Sequence, residues 1–136
     1  MKLVGIDIAK YEHAAFIMEA STGESLCDPF FFKNNKEGFK KLYTELNKYS
    51  KNELLIGMED TGHYNFAIES SLLAEGYKVA LINPITTKSL RKASLKSVKS
   101  DKEDALLITK ALLDKAYYRI ISIQDEKLKE AKELTR

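Results

Sequence analysis

The chain has 136 residues, an apolar fraction of 44% and a net charge of +2, enough for one domain with a real core and too apolar for intrinsic disorder. A lone cysteine, Cys27, excludes an intrachain disulfide and a cysteine-rich zinc site. No apolar run approaches the ~20 residues needed to cross a bilayer, and Asp7 interrupts the N-terminal apolar stretch where a signal peptide would need to continue. A cytoplasmic location is therefore expected.

The first element is a buried strand from Lys2 to Ala9, rich in Val and Ile. Ala14 to Ala20 reads as a second strand, the segment Ser21-Thr22-Gly23-Glu24 as a turn, and Leu26 to Lys33 as a third strand, completing an antiparallel meander. Asn34 or Asn35 is placed to cap a helix whose apolar side is Phe39, Leu42, Tyr43, Leu46 and Tyr49. A fourth strand, Leu54 to Glu59, leads through Thr61-Gly62-His63-Tyr64 into a helix carrying Phe66, Ala67, Leu72 and Leu73 and ending at Gly76. A fifth strand runs from Tyr77 to Ile82; the helix between it and the fourth requires a parallel, right-handed crossover. A short helix follows from Ile85 to about Leu90, then a Ser- and Lys-rich segment from Arg91 to Ser100 expected to be mobile. Ser100 or Asp101 caps a last helix with an apolar face of Ala105, Leu106, Ile108, Leu112 and Leu113, and Tyr117 to Ile123 adds a short strand or an ordered connection. The charged stretch from Asp125 to Arg136 has only Leu128 and Leu134 to bury and reads as the start of a helix belonging to a longer protein.

Four carboxylates stand out within this order. Asp7 and Glu59 each end an apolar strand, and Asp101 and Asp104 lie three residues apart, on one side of a helix. Alone, each acid suits a strand-end turn, a helix cap or a favourable interaction with a helix dipole. Together they describe converging oxygen donors, which repel each other unless a cation such as Mg²⁺ or Mn²⁺ neutralises them. Phosphodiester chemistry is the usual work of such a cluster. Between Thr86 and Ser100 lie Lys88, Arg91, Lys92, Lys96 and Lys99 and no acid, a stretch suited to nucleic-acid phosphates. His63 is read as a helix-start residue, Lys10 as either a phosphate contact or a solvated strand end, and Tyr64 and Phe66 as packing residues.

The order of elements matches an α/β, ribonuclease H-like architecture, with a mixed five-stranded sheet flanked by helices. Gly5-Ile6-Asp7-Ile8-Ala9-Lys10, Glu59-Asp60-Thr61-Gly62-His63-Tyr64, Asn83-Pro84 and Lys99-Ser100-Asp101-Lys102-Glu103-Asp104-Ala105 closely resemble the N-terminal, RuvC-like domain of DEDD insertion-sequence transposases, recombinases guided by a bridge RNA. Asp60 departs from the small apolar residue usual there. The resemblance implies that Asp7, Glu59, Asp101 and Asp104 form a divalent-metal tetrad acting on DNA. In the roles expected, Asp7 bridges two ions, Glu59 and Asp104 hold one each, and Asp101 assists. It further implies DNA and guide RNA as partners, assembly into a dimer or tetramer, and a C-terminal domain with a serine nucleophile. Residues 1–121 are then the catalytic domain and 122–136 the start of a helical connection. The alternatives are a stand-alone resolvase-like nuclease using water as nucleophile, a sugar- or acetate-kinase-like nucleotide binder, whose expected glycine- and threonine-rich phosphate turns this chain lacks, and a non-catalytic RNA-binding and dimerisation module.

Overall fold

The computed structural model describes residues 1–93 and 101–125, the side chains of 101 and 102 excepted. Six strands form one sheet in the order β3-β2-β1-β4-β5-β6. β1 (Lys2–Asp7) lies between antiparallel β2 (Glu12–Glu19) and parallel β4 (Leu54–Glu59). β3 (Phe30–Lys33) closes one edge antiparallel to β2. On the other side β5 (Lys78–Ile82) runs parallel to β4, and β6 (Tyr118–Ile121) runs antiparallel to β5.

Side chains alternate across a strand, and here the alternation sorts the core into two layers. Val4, Ile6, Ile17, Ile56, Met58, Val79 and Leu81 face one side, packed against α1 (Lys36–Leu46) through Phe39, Leu42 and Leu46 and against α2 (Phe66–Ala74) through Ile68, Leu72 and Leu73. Leu3, Phe16, Met18, Leu55, Ala80 and Ile82 face the other side, against Ala105, Ile108, Ala111 and Leu112 around α4 (Asp101–Ala111) and Leu90 of α3 (Pro84–Ala93). The architecture is helix–sheet–helix in three layers.

The first helix is capped at Asn35, whose side chain accepts from the Gly38 N–H at 2.8 Å. Three expectations change. The sheet has six strands rather than five: residues 118–121 pair with β5, but only Ile121 of them is buried, so this edge strand lacks the apolar run that marks a central one. The third strand begins at Phe30 rather than Leu26; Ser25 and Leu26 still touch β2, and Pro29, with no N–H to donate, interrupts the ladder. Arg91, Lys92 and Ala93 belong to the last turn of α3, while residues 94–100 of the stretch expected to be mobile, including Lys96 and Lys99, lie outside the described residues. The expected helical connection over 122–136 falls mostly outside them too. At its start, Ser122 Oγ accepts from the Asp125 N–H at 3.3 Å and Asp125 Oδ2 accepts from the Ser122 N–H at 2.9 Å, a reciprocal capping box that opens a helix. That backbone N–H also holds the Asp125 carboxyl below its ordinary range. Among the described residues, no helix is long and apolar enough to cross a membrane.

Behind the end of β1 lies a buried polar lock. His13 is fully buried, with its Nδ1 accepting from the Ala9 N–H at 3.1 Å. Nε2 therefore carries the proton, and the ring meets Phe32 edge-on at 5.3 Å. Asn34 Nδ2 donates to the Lys10 carbonyl at 3.2 Å, fastening the same β1–β2 turn. Burial pushes the His13 pKa below its ordinary value of 6.5, with Asn34 opposing. The folded state thus favours neutral His13, so its stabilisation is complete above pH 6.5. It declines as pH falls below 6.5, until the lower folded-state pKa is passed, with a slope of at most about 1.4 kcal/mol per pH unit. Urea midpoints between pH 7.5 and 5.5 should fall in the wild type and change less in His13→Asn; parallel curves would refute this.

Candidate functional site

Asp7 and Glu59 are positioned by register. The last paired residues of β1 and β4 are Ile6 and Met58; Asp7 and Glu59 are next in line, on neighbouring strands spaced about 4.8 Å apart. Alternation puts them on the same face: Leu3, Gly5 and Asp7 on one strand, Leu55, Gly57 and Glu59 on the other. Both carboxylates are half-buried.

Asp104 reaches this face because α4 lies unusually close to it. A Cβ at Gly5 would stand 2.1 Å from Thr109 Oγ1 and 2.6 Å from the Ala105 carbonyl oxygen, and one at Gly57 would stand 2.4 Å from Leu112 Cδ2. The two glycines leave a trough for α4. Thr109, fully buried at the bottom, turns its hydroxyl back to the Ala105 carbonyl at 2.7 Å and so leaves no orphaned donor against the sheet.

Helix α3 closes over the acids. The buried hydroxyl of Thr87 is hydrogen-bonded to Glu59 Oε1 and lies 3.0 Å from the Pro84 carbonyl oxygen, one proton between two acceptors. Arg91 Nη2 donates to Asp104 Oδ1 at 2.7 Å, with the two side chains 33% and 17% exposed. Thr87 and Arg91 are four residues apart, hence about 5–6 Å between Cβ atoms on one helix face. A single stripe of α3 therefore touches both Glu59 and Asp104, which brackets the separation of the two acids.

The structure thus brings Asp7, Glu59 and Asp104 to one face of the sheet. Asp101 opens α4, with its side chain outside the description. Lys88 and Lys92 are exposed on α3, and Arg91 is engaged with Asp104. Asp60 turns away from Glu59: its Oδ1 accepts from the Gly62 N–H at 3.2 Å and its Oδ2 lies 3.9 Å from Arg119 of β6. That turn places Gly62 at φ 76°, which explains the glycine after Thr61. His63 is exposed and meets Tyr64 edge-on at 5.5 Å. Lys10 is exposed, its ammonium over the Tyr11 ring. Thr87 and His13 were not singled out from sequence.

The donor set is all carboxylate oxygen, the chemistry of a hard divalent cation, and a guanidinium already stands at one of its members as a stand-in cation. Among the described residues no three carboxylate, imidazole or thiol side chains are gathered tightly enough to hold an ion. Asp101, the fourth candidate, has no described side chain.

The family model for transposases of the IS110 DEDD type matches residues 4–136. The chain belongs to this DEDD transposase family. Relatives of this DEDD domain include the pilin gene-inverting proteins of Moraxella bovis and Moraxella lacunata, each 28% identical over 109 residues, 79% of this chain. The chain spans 33% of the length of these relatives. Among solved structures, Thermus thermophilus RuvC matches the DEDD domain with a TM-score of 0.60 at 11% identity, over 89% of this chain and 100% of that one. T. thermophilus RuvC in complex with a Holliday junction substrate gives 0.56 at 14% identity, over 80% and 90%. These likenesses show the ribonuclease H-like fold.

Proposed function

We propose that the domain is the cation-dependent catalytic part of a DNA transposase or recombinase, cleaving and exchanging strands of an insertion sequence under RNA guidance. What supports this reading is that Asp7 and Glu59 end neighbouring strands on one sheet face and that one helix, α3, touches both Glu59 and Asp104, in a chain of this family. Gene inversion, named for the Moraxella relatives, is a rearrangement of DNA, and one RuvC neighbour was solved with a Holliday junction. Guide RNA and assembly into a dimer or tetramer follow from the sequence resemblance, and a cytoplasmic location from the composition; they complete the reading.

Asp7, Glu59, Asp101 and Asp104 would hold Mg²⁺ or Mn²⁺. When bound, such ions polarise phosphate oxygens and stabilise the charge that develops on the attacking and leaving oxygens. Asp7 is central, coming from the strand between β2 and β4. Thr87 orients Glu59 by binding one of its oxygens. Lys88 and Lys92 contact phosphates and set the register of the nucleic acid.

Two measurements test this. At a cation concentration ten times Kd, binding to the folded state adds about 1.4 kcal/mol, a rise in Tm of roughly 5 °C for a domain of this size. Asp7→Asn should abolish the rise; an equal rise in both proteins overturns the site. Replacing Lys88 and Lys92 together by alanine should weaken duplex binding and lower the slope of log K against log salt by about 2. An unchanged slope would make these lysines merely solvated.

A further inference from the structure

The Arg91–Asp104 pair carries an inference that deepens, and rests on, the proposed cation site. Arg91 Nη2 is 2.7 Å from Asp104 Oδ1, so the position a divalent cation would take at that oxygen is already held by a positive charge. The two α3 contacts differ in character. Thr87 is 1% exposed and, with Leu90 packed on the core, anchors the helix. Arg91, one turn later, stands in the last turn of a helix ending at Ala93, and a third of its side chain is open to water. Arginine is also the side chain best suited to exchange a carboxylate for a phosphate, since its planar fork fits both.

We propose that Arg91 is a built-in counter-cation: it neutralises Asp104 while no nucleic acid is bound, and moves to a phosphate when nucleic acid arrives, opening Asp104 to the divalent cation. Cation loading is thereby coupled to nucleic-acid engagement, and the domain without nucleic acid charges its acid cluster more weakly than it would without Arg91. The coupling is reciprocal: whatever factor the nucleic acid contributes to cation affinity, the cation contributes to nucleic-acid affinity.

Mn²⁺ binding to this chain, followed by the loss of the free-ion EPR signal, tests the proposal with no activity readout. Arg91→Ala and Arg91→Gln should bind Mn²⁺ roughly tenfold more tightly than wild type, the range for a partly shielded charge-assisted pair. Lys110→Ala removes the same charge from an exposed position on α4, and should shift affinity far less. Adding a 20-base-pair duplex should tighten Mn²⁺ binding in wild type and leave the Arg91 variants nearly unchanged. Melting curves confirm that each variant is folded, and the glutamine variant keeps the side chain's bulk if the alanine variant fails to fold. Should the Arg91 variants and Lys110→Ala have the same Mn²⁺ affinity while Asp104→Asn weakens binding, the counter-cation role is overturned and the carboxylate site stands. Absence of Mn²⁺ binding in every protein, with or without duplex, overturns both.

Discussion

Asp7→Asn is expected to reduce strand cleavage and exchange by the full-length protein by on the order of a thousandfold, the upper range for loss of one group that stabilises developing charge. Asparagine keeps the size and one oxygen of aspartate, loses the negative charge and replaces the other oxygen by an NH2 donor. Asp7 sits at the end of its strand and is half-buried, outside the fully buried layers that hold the sheet together. Circular dichroism and the melting transition without cation should therefore remain those of a folded domain. A variant that is folded and retains full activity would remove Asp7 from the reaction, and with it the reading of the acids as a catalytic set. The comparison is clean because fold and activity are read separately.

Gly5→Ala should be the most damaging single-methyl change on the face of the sheet that carries the acids. The added Cβ would lie 2.1 Å from Thr109 Oγ1, 2.5 Å from the Thr109 amide nitrogen and 2.6 Å from the Ala105 carbonyl oxygen. Two of those three atoms are helix backbone and cannot rotate aside, so α4 must be lifted off the sheet. Overpacking of this kind costs about 1–3 kcal/mol, and more where backbone must move; a loss of about 3 kcal/mol would lower Tm by roughly 10 °C. Gly57→Ala meets only Leu112 side-chain carbons, at 2.4 to 2.9 Å. Leu112 can change rotamer, and about 1 kcal/mol is expected. The order matters more than either number: equal melting temperatures for the two variants would show that α4 does not rest on the Gly5 backbone.

Much of the architecture was legible. Leu54–Glu59 was readable to the residue because an apolar run ends abruptly in an acid, and the acids of interest were found for the same reason. A further signal lay unused in the sequence. Leu3-Val4-Gly5-Ile6-Asp7 and Leu55-Ile56-Gly57-Met58-Glu59 share one alternation: leucine, glycine and acid on one face, β-branched or long apolar residues on the other. Two matching patterns in parallel strands announce a close-packed helix over that face. What no local pattern conveys is what α3, expected from about Ile85, packs against. Its Thr87 and Arg91 look like an ordinary threonine and one more cation in a basic stretch until tertiary packing brings Glu59 and Asp104 beneath them. His13 is equally silent in sequence, because its partner Ala9 comes into reach only once the β1–β2 turn closes.

That histidine bears on how the site works. Strand ends fray as a rule, and residues just beyond them sample many conformations. The turn beginning two residues after Asp7 is instead stapled from behind by a fully buried imidazole and, at the Lys10 carbonyl, by the partly buried Asn34 amide. The conformational entropy of that corner is surrendered once, during folding, so an incoming ligand finds the backbone under the central acid already set and does not have to spend affinity arranging it.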